Sequence, residues 1–221
     1  MASGPLALVG GAEFTDGCTF DRDLLEAAGG HEVLVVPTGA AYEHPERLVE
    51  RAERWFRGLG GSARGLDVLA RSDALDPDHV AAVRSARFIY LAGESPMHLR
   101  SVFKDTPVWD AIVTAWRDGA VLAGSVAGAM VLCDPMVDPR GGAFTVGLGL
   151  LANLGVIPEF DTWSEDAVQR TRRLSPDGLV LAGIPRRTAL LRDAEGSWRA
   201  AGIGDVSVFR GGEPADLDAL T

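Results

Sequence analysis

Residues 120–130 read Ala-Val-Leu-Ala-Gly-Ser-Val-Ala-Gly-Ala-Met, a short apolar strand followed by small residues in a Gly-x-x-x-Gly spacing. This pattern is typical of a nucleophile elbow, a sharp turn from a strand into a helix. In such a turn one residue has a strained backbone and projects its side chain over the edge of the sheet, and the next backbone N–H stabilises an oxyanion. The segment therefore predicts an α/β fold with a site around Ser125, Val126 and Ala127.

Other apolar runs surround the elbow, and helical patterns lie between them. Residues 6–9, 32–36, 87–91 and 121–124 are uniformly apolar rather than alternating, which indicates strands buried on both faces of a parallel sheet. Residues 45–59 have apolar positions at helical spacing, Asp76-Pro77 and Thr106-Pro107 are helix-start signals, and residues 164–174 are helical. This β-α-β-α order predicts a three-layer sandwich with a mostly parallel central sheet.

The C-terminal part of the chain adds strands of another kind. Residues 179–184, 188–192 and 206–209 are three short apolar runs, which we expect to form antiparallel strands that extend one edge of the sheet. No repeat of fixed period occurs, so one domain over residues 1–221 is the expectation. Ligands of open α/β sheets bind at the carboxyl ends of the strands, which here include Gly10-Gly11, Gly93-Glu94 and Ser125-Val126.

The composition of the chain argues against several classes of protein. The 221 residues include 31 acidic and 21 basic side chains, and the net charge of −10 argues against non-specific binding to nucleic acid or anionic membranes. The two cysteines, Cys18 and Cys133, are too few and too far apart for a disulfide framework or a zinc site, and we expect neither a metal nor a cofactor. Residues 1–5 lack a secretion-signal pattern and the apolar stretch 120–133 is too short to span a bilayer, which predicts a cytoplasmic protein.

Five segments carry a family resemblance. They are Leu-Val-Gly-Gly at 8–11, Val-Val-Pro-Thr-Gly at 35–39, Tyr-Leu-Ala-Gly-Glu at 90–94, Ala-Gly-Ser-Val-Ala-Gly-Ala at 123–129, and Gly183-Ile184 followed by Thr188-Ala189-Leu190. Together they resemble the S51 serine peptidases, which comprise cyanophycinase and aspartyl dipeptidase (peptidase E). The resemblance implies a class I glutamine amidotransferase-like (flavodoxin-like) fold and a serine hydrolase. It also implies an elbow serine, a histidine after the next strand, and an oxyanion loop of the Gly-Gly-Asn/Asp type.

The chain departs from the family pattern at the positions of the catalytic residues. Aligning the elbow glycines places the family's serine on Val126, whose hydrocarbon side chain cannot attack a carbonyl. The family's Asp-Gln-His segment aligns with Asp161-Thr162-Trp163, and the indole N–H of Trp163 cannot accept a proton. The oxyanion loop keeps Gly93, while Glu94 replaces Asn or Asp. The resemblance therefore implies a homologue that lacks serine peptidase activity and retains its cleft for binding or structure.

Two other functions stay open. A hydrolase with a rewired site would use Ser125 as the nucleophile on short peptides with an acidic residue or an isopeptide link, and its partner would be Asp161, Glu94 or His98. A pure interaction module is the third possibility. For a degenerate cleft we expect a small peptide or an amino-acid-like ligand, and a homodimer stays open. Either Val126 keeps the positive φ of such an elbow, which costs a β-branched residue about 1–3 kcal/mol, or the turn has relaxed to an ordinary φ.

Overall fold

The structure is a computed structural model that describes residues 3–30, 32–140 and 142–220. The first two residues, considered above for a secretion signal, therefore lie outside the described part. The helices are α1 (Phe20–Ala27), α2 (Pro45–Gly58), α3 (Pro77–Ser85), α4 (Pro96–Phe103), α5 (Pro107–Arg117), α6 (Ala127–Leu132) and α7 (Glu165–Arg173). The strands are β1 (Leu6–Val9), β2 (Glu32–Gly39), β3 (Ser62–Gly65), β4 (Phe88–Gly93), β5 (Val121–Ser125), β6 (Cys133–Asp134), β7 (Met136–Val137), β8 (Phe144–Thr145), β9 (Leu151–Ala152), β10 (Leu154–Pro158), β11 (Val180–Ile184), β12 (Thr188–Arg192), β13 (Trp198–Gly202), β14 (Ser207–Arg210) and β15 (Glu213–Ala215).

A seven-stranded sheet forms the centre of the fold, in the order β13-β12-β1-β5-β4-β2-β3. The five strands from β1 to β3 in this order run parallel, and β12 and β13 add two antiparallel strands beside β1. The parallel strands therefore end at one common edge. The predicted mostly parallel α/β sheet is confirmed, and the elbow lies at its carboxyl edge.

Helices cover both faces of this sheet, because alternate residues of each strand point to opposite faces. In β1, Leu6 and Leu8 belong to a hydrophobic cluster with residues of α3 to α6, whereas Ala7 and Val9 belong to another cluster with α1 and α2. All four side chains are fully buried. Burial on both faces explains why these strands are uniformly apolar in sequence.

The helix starts follow the signals in the sequence. Oδ1 of Asp76 accepts a hydrogen bond of 2.8 Å from the backbone N of Asp78 at the start of α3. Oγ1 of Thr106 accepts one of 3.4 Å from the N of Trp109 at the start of α5. In both helices proline occupies the first turn, where its missing N–H costs nothing. The predicted helices 45–59 and 164–174 are also confirmed, to within one residue at each end.

The C-terminal strands differ in part from the expectation. β12 does extend the central sheet, antiparallel to β1. However, β11 and β14, which cover the predicted runs 179–184 and 206–209, belong to a second sheet of six strands ordered β15-β14-β11-β10-β6-β9. Within it β11 pairs antiparallel with β14 and parallel with β10. The expected antiparallel pairing is therefore present, but the expectation that all three strands extend one edge of the central sheet was wrong. An apolar run shows that a strand is buried but does not specify its partner, which lies far away in sequence.

Among the residues that the structure describes, no helix is both long and apolar enough to cross a membrane.

Candidate functional site

The turn between β5 and α6 has the geometry of a nucleophile elbow. Val126 connects the two elements with φ 45° and ψ −101°, outside the regions that residues with a Cβ normally occupy. Its N–H donates to the carbonyl O of Val9 at 3.1 Å, and its own carbonyl accepts from the N–H of Met130 at 3.0 Å. Of the two alternatives for Val126, the structure shows the strained one with a positive φ, and backbone hydrogen bonds on both sides of the residue hold this conformation.

Two glycines allow α6 to lie directly on the sheet. A Cβ placed on Gly124 would come within 2.5 Å of the backbone of Gly128, and one on Gly128 would lie 2.3 Å from the carbonyl O of Leu91. Real Cβ atoms do not approach backbone atoms this closely, so only glycine fits either position. The Gly-x-x-x-Gly spacing thus provides close contact between helix and strand.

The side chain of Glu159 lies next to Val126. A Cβ placed on Gly11 would lie 3.1 Å from Cγ2 of Val126 and 3.0 Å from Cγ of Glu159, so the two side chains flank the same glycine. Glu159 follows β10, has a left-handed backbone with φ 48°, and donates its N–H to the carbonyl O of Gly10 at 2.7 Å. Its carboxylate has no hydrogen-bond or ion-pair partner within the described ranges. Glu159 was not predicted from the sequence.

We call the region around Val126, Glu94 and Glu159, at the carboxyl edge of the sheet, the elbow cleft. Glu94 retains exposed surface, but nearby protein atoms desolvate its carboxyl group. This desolvation, together with the negative charges of Glu13, Glu159 and Glu43, raises the pKa of Glu94 to about 7. The elbow cleft is therefore acidic, and part of its charge titrates close to neutral pH.

Gly93, the residue before Glu94, is fixed by packing. It has φ 118°, and a Cβ on it would lie 2.2 Å from the backbone N of Ala40. The N–H of Glu94 donates to the carbonyl O of Gly39 at 3.2 Å. The loop proposed from the sequence as the oxyanion loop is thus held tightly against the end of β2.

Ser125, the residue before the elbow, is completely buried. Its Oγ donates a hydrogen bond of 2.9 Å to Oε2 of Glu13. Oε1 of the same carboxylate accepts from Nη2 of Arg51 at 2.9 Å, and only 5% of the Glu13 side chain is exposed. Neither Glu13 nor Arg51 was predicted from the sequence as a residue near the elbow. The one available signal for Glu13 was an acidic residue two positions after the Gly-Gly that ends β1.

The remaining predicted partners of Ser125 make other contacts. The carboxylate of Asp161 accepts two hydrogen bonds of 2.9 Å from the backbone N and Nε of Arg186, and these bonds lower its pKa despite partial desolvation. Nε2 of His98 donates to the carbonyl O of Leu69 at 2.9 Å. Trp163 is partly buried and packs against the larger hydrophobic cluster. The structure therefore brings Ser125 to Glu13 rather than to Asp161 or His98.

Backbone strain is concentrated around the elbow cleft. Five non-glycine residues with positive φ lie on loops that meet there, namely Ala12, Phe14, Val126, Glu159 and Arg187. Backbone hydrogen bonds join these loops, since Gly10 and Gly11 accept from the N–H groups of Glu159 and Arg187. Clusters of such residues are typical of functional sites, because strain persists only where the surrounding structure imposes it.

In the described part of the chain, no group of three His, Cys, Asp or Glu side chains is arranged to hold a metal ion. Burial raises the pKa of the Cys18 thiol to about 11 and places that of Cys133 still higher. A thiol with a raised pKa is a poor nucleophile at neutral pH. Neither thiol is therefore a candidate nucleophile.

Comparisons with known proteins point to one peptidase family. The model of Peptidase family S51 matches residues 6–173. Cyanophycinases from Nostoc sp. (strain PCC 7120) and Trichormus variabilis (strain ATCC 29413) are each 27% identical over 223 residues, which covers 95% of this chain and 74% of the relative. The crystal structure of a peptidase from an acI-B1 Actinobacterium superposes with a TM-score of 0.84 at 30% identity, over 95% of this chain and 92% of that one. A candidate peptidase E from Listeria monocytogenes EGD-e superposes with a TM-score of 0.67 at 18% identity, over 95% and 99% of the two chains, and shares the fold.

Proposed function

The chain belongs to peptidase family S51, and from this premise we propose that it is a member without serine peptidase activity whose elbow cleft is kept for binding a small ligand. The observation that carries the proposal is the side chain at the elbow. Val126 has the strained backbone of the turn but no lone pair and no ionisable proton, so it cannot act as a nucleophile. The adjacent hydroxyl, that of Ser125, is completely buried and donates a hydrogen bond to Glu13.

The residue beside Val126 also fits a site that no longer performs acyl transfer. A serine nucleophile needs a neighbouring base that accepts its proton, and Glu159 flanks the elbow where such a base would be required. With valine at the turn, this carboxylate has no hydroxyl to activate. Its charge is instead available to a ligand.

The charge of the elbow cleft favours a ligand with a cationic group. Glu94, Glu159 and Glu43 lie close enough to interact electrostatically, and the cation Arg51 is already paired with Glu13. An ammonium or guanidinium group would offset the repulsion among these carboxylates, whereas a second carboxylate would increase it. Within the expected class of small peptides and amino-acid-like molecules, we therefore propose a positively charged ligand.

The experiment is a hydrolysis assay of the purified chain with aspartyl dipeptides and cyanophycin, with Ser125→Ala as the matched variant. We expect no product above the protein-free blank for either protein. Turnover by the unaltered chain that disappears in Ser125→Ala would overturn the proposal. Calorimetric titration with agmatine, a small dication, tests binding in the same preparation, and absence of heat at millimolar agmatine would contradict the proposed ligand class.

One contact favours a second candidate, a hydrolase with a rewired site. Oγ of Ser125 and Oε2 of Glu13 are 2.9 Å apart, which is within proton-transfer distance for a base and a nucleophile. The complete burial of Ser125 opposes this candidate, because a substrate carbonyl would have to displace the protein around it. The hydrolysis assay separates the two, since only the rewired hydrolase loses turnover with Ser125→Ala.

A further inference from the structure

A cavity of about 460 Å³ lies at the end of the two sheets opposite to the elbow cleft. Its walls include Arg192 and Trp198, which are cross-strand partners on β12 and β13, and Arg210 at the end of β14. Arg192 pairs with Leu6 at the start of β1, whereas the elbow cleft lies beyond the end of that strand. The register therefore places this cavity at the amino ends of the parallel strands, away from the chemistry of the elbow.

The charge in this cavity is opposite in sign to that of the whole chain. Its described lining includes two arginines and no acidic side chain, in a chain with 31 acidic and 21 basic residues. Nη1 of Arg192 donates to Oγ of Ser3 at 3.1 Å, and Nη2 of Arg210 donates to the carbonyl O of Ala219 at 2.6 Å. A guanidinium has five N–H donors, and neither arginine forms an ion pair with any residue that the structure describes. Both therefore retain donors for an anion.

The two arginines come from different sheets. Arg192 belongs to the central sheet and Arg210 to the second sheet. An anion that accepts hydrogen bonds from both would connect the two sheets, between which the described strands form no pairing. Binding at this place should therefore raise the stability of the fold, in addition to satisfying the guanidinium groups.

The rest of the wall is apolar and aromatic. Trp116, only 8% exposed, and Trp198 line the cavity together with leucines that include Leu150, Leu154 and Leu220. Indole rings offer large flat surfaces that pack against other rings. A volume of this size is in the range of sites for small organic ligands, which combine apolar walls with a few polar groups.

Acidic residues occur next to the cavity but not in its described lining. Asp118 and Glu195 line an adjoining hollow, which shares Trp116 and Arg192 with the cavity. Arg210 lines the cavity and not that hollow. The acidic side chains thus share a hollow with Arg192 but not with Arg210, which leaves the described lining of the cavity positively charged.

We propose that this cavity binds a small aromatic carboxylate. The carboxylate accepts charge-assisted hydrogen bonds from Arg192 and Arg210, and the ring packs against Trp116 and Trp198. No bond is made or broken, and the site is independent of the function proposed for the elbow cleft. Its ligand is an anion, whereas the ligand proposed for the elbow cleft is a cation.

The test is calorimetric titration of the full chain with three probes. Benzoate carries both features of the proposed ligand, benzamide has the same ring without the charge, and acetate has the charge without the ring. We expect benzoate to bind at least about tenfold more tightly than either of the other two and to raise the melting temperature. Equal affinity for benzoate and benzamide, or no binding of benzoate at millimolar concentration, would overturn the proposal.

Substitutions of the two arginines test whether benzoate binds in this cavity. Arg192→Gln and Arg210→Gln should each weaken benzoate binding by about tenfold or more, because a charge-assisted bond is lost. Arg57→Gln is the matched control, since Arg57 lies in the last turn of α2, which packs against β3 at the other edge of the central sheet. Circular dichroism establishes that each variant is folded. Benzoate affinity that is unchanged in both cavity variants, or lowered equally in Arg57→Gln, contradicts the assignment.

Discussion

Oγ of Ser125 and Oε2 of Glu13 are 2.9 Å apart, although the two residues are separated by 112 positions in the chain. The bond joins the last residue of β5 to the loop after β1, and Arg51 of α2 binds the other oxygen of the same carboxylate. Three segments around the elbow are thus held together by one buried carboxylate. The hydroxyl next to the elbow therefore has a structural role in this fold.

Replacement of Ser125 by alanine should lower the stability of the fold. The substitution removes a hydrogen bond to a charged, buried acceptor, which costs about 1–3 kcal/mol in the free energy of unfolding. Urea unfolding at neutral pH measures this change. Ser85→Ala is the control, because Ser85 is exposed and its Oγ donates to the carbonyl O of Ala82 in its own helix, so we expect a change within about 0.5 kcal/mol. Equal stability of Ser125→Ala and the unaltered chain would contradict the structural role.

Asp21 should make the stability of the chain fall as the pH rises. The carboxyl group is fully buried and accepts one hydrogen bond, of 2.8 Å, from Nε1 of Trp55. Burial, with a smaller contribution from the charge of Glu13, raises its pKa from 3.8 to about 8. Between these two values the unfolded chain has released a proton that the folded chain still holds. Folding therefore loses up to about 1.4 kcal/mol per pH unit in this range.

The variant Asp21→Asn removes this proton and keeps an acceptor for Trp55. We expect its free energy of unfolding to change less between about pH 4 and pH 8 than that of the unaltered chain, so that the two curves diverge with rising pH. Asp23→Asn, an exposed position on the same helix, should leave the pH dependence unchanged apart from the loss of its ion pair with Arg199. Parallel pH curves for the unaltered chain and Asp21→Asn would refute the raised pKa.

Local patterns in the sequence were sufficient to predict the elbow and the parallel sheet. The Gly-x-x-x-Gly spacing at Gly124 and Gly128 has a steric cause that acts within a few residues, namely the contact between α6 and the strands beneath it. The buried strands and the helix caps at Asp76 and Thr106 are likewise local. The positive φ of Val126 belongs to the same turn, although the sequence left a relaxed φ open.

Contacts between distant segments could not be predicted in this way. Glu159 reaches Val126 because β10 ends beside the Gly-Gly after β1, and this depends on how the second sheet packs against the first. The sequence alignment instead relied on a histidine motif and led to Trp163, four residues further on. The pair of Glu13 and Ser125 is similarly non-local. In each case the chemistry depends on which loops meet at the carboxyl edge.

Installing a serine and a histidine should tell which residue occupies the base position. In Val126→Ser combined with Glu159→His, the new imidazole would flank the new hydroxyl across Gly11, and a positioned base accelerates such a reaction by roughly 10²–10⁴-fold. We expect this double variant to react with a fluorophosphonate, as measured by intact mass, about 100-fold faster than Val126→Ser alone. Val126→Ser with Trp163→His should react like the single variant. Faster labelling of the Trp163→His combination would place the base position at residue 163 instead.

Agmatine binding to the elbow cleft should strengthen as the pH rises through 7. Agmatine keeps both positive charges between about pH 6 and pH 8, so a change in affinity over this range reports on the protein. Burial and the neighbouring carboxylates raise the pKa of Glu94 to about 7, and the group therefore gains its negative charge in this interval. Because a cation binds better to the ionised form, the dissociation constant should fall with rising pH, by up to about tenfold.

Two variants distinguish the effect of the Glu94 charge on agmatine binding from the effect of a charge elsewhere on the surface. Glu94→Gln should bind agmatine weakly and with little dependence on pH, because the group that titrates in this range is gone. Glu50→Gln carries the same charge change on an exposed face of α2, where Glu50 forms a long ion pair of 3.9 Å with Arg54, and should keep the pH profile of the unaltered chain. Calorimetric titration at about pH 6, 7 and 8 measures all three proteins. An affinity that falls with rising pH, or that changes in parallel in Glu94→Gln, would show that Glu94 does not contact the ligand.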